Sequence, residues 1–269
     1  MLKIAVCGAL GRMGSRVVAA IIEDPETELA GAVEAVGHAK MAKDVGTVLG
    51  YGPLGMKVTD DLEKVISGAD VVIDFTEAGT ALGHARAAAD AQTPIVVGAT
   101  GVSRGQLVEF KKLSRRIPIV VAPNMSVGMN VMFKIAADIA RHMGDAYDVE
   151  IVEVHHSRKL DAPSGTALKL GQAVAAALGR DFRRAARLSR QGKNAARRPG
   201  EIGIQSVRAG DVVGEHTVIF GGEGERLEIA HKASSRDNFA RGALIAAKWL
   251  AKAKPRLYDM QDVLGLNAC

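Results

Sequence analysis

The first 125 residues alternate short apolar runs with helix-period segments, and this alternation limits the available folds more than any other feature. "KIAVCG", "ELAGAVE", "DVVIDFT", "PIVVGAT" and "IPIVVAPN" are mostly continuous apolar runs rich in valine, isoleucine and alanine. Such runs suit strands covered on both faces, the situation of a parallel sheet. Between them, "GRMGSRVVAAIIED", "DLEKVISGA", "GTALGHARAAADAQ" and "SRGQLVEFKKLSRR" read as helices. The alternation predicts an α/β fold with a Rossmann-like parallel sheet wound by right-handed crossovers.

The pattern changes after residue 126. "VGMNVMFKIAADIARHMG" and "GTALKLGQAVAAALG" read as helices, and "DVEIVEVHH" as a strand between them. "IGIQSVRAG", "DVVGEHTVIFG" and "ERLEIAHKA" are three further strand runs joined by "AGD" and "GGEGE", links short enough for antiparallel pairing. The expected organisation is a dinucleotide-binding domain over 1–126 and an α+β domain over 127–235 with a mostly antiparallel open sheet. "NFARGALIAAKWLAKA" is a closing amphipathic helix.

Composition excludes several classes. Of 269 residues, 4% are aromatic and the net charge is +5, which suits anionic small molecules better than nucleic acid. Cys7 and Cys269 supply neither a disulfide framework nor a metal cluster. No apolar run is long enough to span a bilayer, and "MLKIAVCGAL" is too short and polar-bounded for a signal peptide. A cytoplasmic protein with no membrane partner is expected. The eight cations between Arg180 and Arg198 read as a solvated, mobile loop with at most a steering effect on anions.

Two segments carry chemistry. "GALGRMG" places Gly8, Gly11 and Gly14 between the first strand and the first helix, where backbone N–H groups can meet a pyrophosphate. The spacing is a variant of the usual fingerprint, with Leu10 where its middle glycine belongs. Glu34 ends the second strand, where an acid can accept from a ribose hydroxyl. "GATG" and "APNMS" end the fourth and fifth apolar runs, and their small residues let a flat ring approach the backbone.

The second segment is "EVHHSRKLDAPSGTAL". Strand alternation sends His155 and His156 to opposite faces, so the pair is a poor metal site and none is expected. Histidine titrates near neutrality, and Lys159 can donate a proton or hold an anion. Pro163, Ser164, Gly165 and Thr166 look like a helix start able to cradle a carboxylate, with the proline in the first turn. Together they suggest a catalytic or substrate-binding site for a small acid.

"GRMG", "APNMSVGMNV", "EVHHSRKLDAPSGTAL", "RAGDVVGEHTVIF" and "ERLEIAHKASSR" run in order through almost the whole chain. The set resembles the 4-hydroxy-tetrahydrodipicolinate reductase (dihydrodipicolinate reductase) family of lysine biosynthesis. The resemblance implies NAD(P)H-dependent reduction of a small cyclic dicarboxylate. It implies His155 as general acid and Lys159 as second donor, with His156, Gly165 and Thr166 binding substrate. For the cofactor, NADH or NADPH, it implies Gly8, Ala9, Leu10, Gly11, Arg12 and Met13 in the turn and Glu34 at the ribose. Gly98, Ala99, Thr100, Ala122, Pro123, Asn124 and Met125 fall on the nicotinamide side. It further implies that 236–269 returns to the first domain and that four copies assemble through the second domain's sheet.

One departure matters. Many members carry arginine after the ribose acid to grip a 2′-phosphate, and here that position is Ala35. Lys40, Lys43 and Arg12 are the remaining nearby cations, so dual cofactor use without strong NADPH preference is expected. Two other readings fit the first domain alone: a dehydrogenase acting on sugars or amino acids, and a dinucleotide sensor without turnover. Neither needs "HHSRK…DAPSGT".

Overall fold

A computed structural model describes residues 1–267; Cys269 lies outside them. The chain forms two compact units, Met1–Val127 with the stretch from Arg236 onward, and Gly128–Ser235.

The first unit begins with β1 (Leu2–Cys7), α1 (Gly14–Glu23), β2 (Thr27–Val33), α2 (Val45–Leu49), β3 (Val58–Thr59) and α3 (Leu62–Ile66). It continues with β4 (Val71–Asp74), α4 (Ala78–Asp90), β5 (Ile95–Val97), α5 (Arg104–Leu113) and β6 (Ile119–Val121). The second holds α6 (Val127–Met143), β7 (Asp148–His155), α7 (Gly165–Ala177), α8 (Phe182–Ala185), β8 (Ala186–Arg187), β9 (Ile202–Arg208), β10 (Gly214–Gly221) and β11 (Arg226–Ala233). The chain then returns to the first unit as α9 (Asp237–Leu250), β12 (Leu257–Tyr258) and α10 (Met260–Val263).

Seven parallel strands make the first sheet, in the order β12-β6-β5-β4-β1-β2-β3. Strand alternation divides β1 between two cores. Ile4 and Val6 pack in one with Val17, Val18 and Ile21 of α1 and Ala243 and Ala247 of α9. Ala5 and Cys7 pack in the other with Ala85 and Ala88 of α4 and Phe110 of α5. Both faces are covered, which is why these strands have no polar alternation. Short elements went unrecognised in the sequence: α2, β3, β12 and α10 have too few residues to show a period. Lys248 of α9 bonds Asp24 at 2.7 Å and Glu26 at 2.6 Å beside the α1–β2 turn.

The second sheet has five strands in the order β11-β10-β7-β9-β8. It is mixed: β10 pairs antiparallel with β11 and β7, whereas β9 pairs parallel with β7 and β8. The pairing expected across "AGD" does not form, because β7 lies between β9 and β10. The five residues after Arg208 instead cross the end of β7, with Ala209 N–H donating to the His155 carbonyl at 2.8 Å. Such a link reaches two strand spacings easily. One face of the sheet packs on α6 and α7 through Phe133, Leu170, Val174, Ile151 and Phe220. The other face carries Glu150, Val152, Val154, Val207 and Ile219.

The arginine-rich segment is pinned at Arg180, Arg190 and Arg197, whereas Arg183, Arg184, Arg187, Lys193 and Arg198 are exposed as expected. Arg190 grips Glu150 through two bonds of 2.9 and 2.7 Å and reaches Glu201 at 3.2 Å. Arg197 pairs with Asp148 at 2.8 Å and also with Glu150, and Arg180 pairs with Asp145. Carboxylates distant in sequence absorb these cations, which composition could not show.

Gly242 tests the packing of α9. A Cβ there would lie 1.8 Å from the Met125 carbonyl oxygen. Backbone cannot yield as a flexible side chain can, so Gly242→Ala is expected to cost about 1–3 kcal/mol, read as a lower midpoint in urea denaturation.

Candidate functional site

In the first unit, strand register decides which residues meet. Cys7 pairs with both Val33 and Asp74, Asp74 with Val97, and Val97 with Val121. The turns following β1, β2, β4, β5 and β6 therefore leave one edge of the sheet. Strand order reverses between β1 and β4, the crevice where open α/β sheets take ligands. A cleft of about 660 Å³ opens there, lined by Gly8, Gly11, Glu34, Ala35, Thr76 and Thr100 among others.

The glycine turn has a steric origin. Gly8 has φ of 73°, in the left-handed region. At Gly14 a Cβ would stand 1.9 Å from the Gly8 carbonyl oxygen, so α1 can begin this close to β1 only with glycine. Leu10 N–H donates to Glu34 Oε1 at 2.6 Å, which ties the turn to the end of β2. Arg12 is exposed, Met13 is half-buried and Ala9 is buried.

Gly98 and Ala99 are buried and Thr100 is exposed. A Cβ at Gly98 would collide with the Phe75 ring at 2.3 Å. Ala122, Pro123, Asn124 and Met125 follow β6 at the same edge, two strands beyond β4 and outside the cleft lining. Met125 is buried, and Asn124 Oδ1 accepts from Ser126 N–H at 2.9 Å.

Sequence reasoning passed over Asp74, Thr76 and His84. Asp74 is wholly buried, accepts from the Thr76 backbone at 2.8 Å and hydroxyl at 2.6 Å, and meets His84 Nδ1 at 2.6 Å. This network shapes the cleft wall after β4. Cys7 completes a trio of donor atoms within 4.8 Å of one another. The Asp74 carboxylate is already occupied by hydrogen bonds, and burial, with Asp74 and Glu34 adding, pushes the Cys7 thiol well up. The signal was an acid ending an otherwise apolar strand at the switch point.

In the second unit, two neighbouring rungs of the sheet carry the polar groups on the face toward the helices. Glu153 of β7 stands between Ser206 of β9 and His216 of β10, with His231 of β11 beyond. One rung along, His155 stands beside Arg208. On its other side is Gly214, where a Cβ would lie 3.0 Å from His155 Nε2. That glycine leaves the imidazole its space.

Glu153 is wholly buried. Its Oε2 meets His155 Nδ1 at 2.5 Å, and Arg208 donates to both carboxylate oxygens at 2.8 and 2.9 Å. Ser164 N–H donates to Oε1 at 3.1 Å. Burial would raise this carboxyl, but the bonds from His155, Arg208 and Ser206 outweigh it and hold it well below the carboxylate range. His216 lies edge-on to His155, centroids 5.2 Å apart, with Nε2 3.1 Å from Ser164 Oγ. Burial, then the charges of His155 and others, push His216 down to about 3.

His156 lies just past the strand, and its carbonyl accepts from Lys159 N–H at 3.1 Å. Lys159 Nζ rests on Asp161 at 2.8 Å, and its charge is felt at His216. Helix α7 begins at Gly165 with Ser164 as N-cap, its Oγ accepting from Ala167 N–H at 3.1 Å. Pro163 thus precedes the cap instead of sitting in the first turn, because Ser164 supplies the hydroxyl that ends the loop. Gly165 and Thr166 hold first-turn positions, where N–H groups have no acceptor within the helix. The sequence reading singled out His155, His156, Lys159, Gly165 and Thr166 and passed over Glu153, Arg208 and His216, which the structure places around His155. The available signal was period-two spacing, which puts Glu153 and His155 on one face.

Comparison with known proteins covers both units. Residues 2–125 match the family described as "Dihydrodipicolinate reductase, N-terminus", and 128–264 match "Dihydrodipicolinate reductase, C-terminus". A 4-hydroxy-tetrahydrodipicolinate reductase of Geotalea daltonii is 52% identical over 267 residues, covering 99% of this chain and 100% of the relative. One of Syntrophus aciditrophicus is 51% identical over 268 residues, covering 100% of both. Among solved structures, a dipicolinate-bound dihydrodipicolinate reductase from Paenisporosarcina sp. TG-14 superposes with a TM-score of 0.74 at 27% identity. It covers 97% of this chain and 98% of that one. A probable dehydrogenase from Thermotoga maritima, at 12% identity, shares the fold with a TM-score of 0.57, covering 97% of this chain and 92% of that one.

His216 makes stability depend on pH. Its folded value of about 3 lies below the ordinary 6.5, so the unfolded chain binds the extra proton. The contribution is full above pH 6.5 and is lost as pH falls toward 3. Between pH 7 and 5 it amounts to about 2 kcal/mol. Thermal melts should therefore drop with acidification, and the drop should be smaller in His216→Gln.

Proposed function

The chain belongs to the dihydrodipicolinate reductase family, and on that premise we propose how its own residues perform the reaction. The enzyme reduces 4-hydroxy-tetrahydrodipicolinate with loss of water, in the diaminopimelate route to lysine, using a nicotinamide dinucleotide. The observation that carries the assignment of roles is local. An imidazole on a buried carboxylate, an ammonium and a capped helix N-terminus gather around the end of β7.

The first unit's residues fit the dinucleotide. Gly8 and Gly14 remove the side chains that would fill the turn, and Gly11 is exposed at the cleft. The backbone from Gly8 to Met13 holds the pyrophosphate, and Glu34 accepts from the adenosine ribose. Gly98 to Thr100 and Ala122 to Met125 bound the nicotinamide side. When bound, the dinucleotide supplies a hydride from its reduced nicotinamide ring.

The second unit's residues hold the substrate. The N–H groups of Gly165 and Thr166 cradle one carboxylate, and His156 and Lys159 meet the remaining anionic charge. His155 delivers the proton that balances the hydride, and Lys159 assists by holding negative charge near it. We further propose a homotetramer built on the sheet face carrying Val152, Val154, Val207 and Ile219. A cytoplasmic setting suits these soluble small-molecule reactants. No helix among the described residues is long and apolar enough to cross a membrane.

His155→Gln should lower kcat by about 10²-fold or more, and Lys159→Ala should also lower it. NADH binding by fluorescence titration should be intact in both. A variant that keeps full turnover removes that residue's role.

The cofactor preference follows from Glu34 and Ala35. Ala35 is exposed and offers no donor to a 2′-phosphate, and the Glu34 carboxylate repels one. Both cofactors should therefore serve without strong NADPH preference. The ratio of kcat/KM for the two decides this, and an NADPH advantage of about a hundredfold, near 2.7 kcal/mol, overturns it.

A further inference from the structure

We infer that Glu153, clamped by Arg208, is the positioning residue of the general acid: it fixes the His155 imidazole with Nδ1–H on the carboxylate and Nε2 as the proton-delivering atom. The inference rests on the reading of His155 as that acid and extends it to two residues with no assigned role.

The geometry sets the tautomer. Glu153 Oε2 stands 2.5 Å from Nδ1, and an ionised carboxylate can only accept, so Nδ1 carries the hydrogen. Nε2 lies on the other side of the ring, toward Gly214, where the missing side chain leaves room. The imidazolium then gives up its Nε2 proton, and the neutral ring keeps Nδ1–H on Glu153. No tautomer change is needed within a turnover.

Glu153 must stay charged for this. A buried carboxylate with one neutral partner would take up a proton, and Glu153 avoids that through Arg208, the Ser164 N–H and Ser206. Arg208 is itself fixed, donating to the Asp161 carbonyl at 2.6 Å as well as to Glu153. The bidentate ion pair is planar and directional, so it aims the carboxylate as well as neutralising it.

The other groups around His155 do not compete. His216 of β10 meets it edge-on, and burial keeps that ring neutral at neutral pH. Lys159 is engaged by Asp161 on the loop after β7, and His231 lies beyond His216 on β11. Glu153 is the only carboxylate among the described residues bonded to the His155 ring.

The test uses the full-length enzyme. Glu153→Gln should lower kcat roughly 100-fold with KM for NADH unchanged. The ¹⁵N spectrum of its His155 ring should no longer show a single Nδ1–H tautomer, because a carboxamide can donate to Nδ1 as well as accept from it. A purely structural role would lower the melting temperature and leave the tautomer unchanged. Should the variant fail to fold, imidazole ¹⁵N NMR of the wild type decides instead, the His155 signal being identified by its loss in His155→Gln. The neutral ring should be the Nδ1–H tautomer. A folded Glu153→Gln with wild-type kcat, or an Nε2–H tautomer in the wild type, overturns the inference. If His155→Gln keeps full turnover, the reading of His155 itself falls, whatever Glu153 does.

Discussion

A wholly buried carboxylate must be surrounded by donors, and Glu153 organises the second unit around that demand. Leaving such a charge without partners would cost several kcal/mol. Its donors come from β7 itself, from β9 and from the residue capping α7. The strand holding the imidazole, the neighbour holding the guanidinium and the helix offering its N-terminus are therefore held to one another at a single atom cluster. The charge that makes the site costly to bury is also what gives it one geometry.

The first unit is held by a different constraint, the close approach of backbones. Gly14 lets the first helix start against the carbonyl of Gly8, and Gly242 lets α9 lie against the Met125 carbonyl. These contacts are steric, and they set a cradle of backbone with few side chains in it. Parallel register then brings five strand ends to one edge, so the turns after β1, β2 and β5 can contribute to a single cleft. One unit is thus shaped by absent side chains and the other by a buried charge. That suits the proposed tasks of holding a long flat cofactor in the one and of holding and protonating a small anion in the other.

Much of this was legible in the residues. The continuous apolar runs predicted the parallel sheet because covering on both faces removes polar alternation. "GALGRMG" and "HHSRKLDAPSGT" marked their segments because local chemistry needs those residues close in sequence. Pairings between distant residues were hidden. Arg208 meets Glu153 across 55 positions, and Arg190 meets Glu150 across 40. The parallel placement of β9 beside β7 was hidden as well, since a short link between two strands does not say whether a third lies between them.

By itself the sequence determined the order of the longer strands and helices, the glycine turn and the helix start at Gly165. Each of these rests on periodicity or on neighbours within a few residues. Only the tertiary structure decided that Glu153 is buried, that Arg208 neutralises it and that Asp74 rests on His84 and Thr76. The physical reason is that an isolated acid in a strand reads the same whether it faces solvent or a guanidinium. Its charge acquires a role when folding removes the water and supplies the partner.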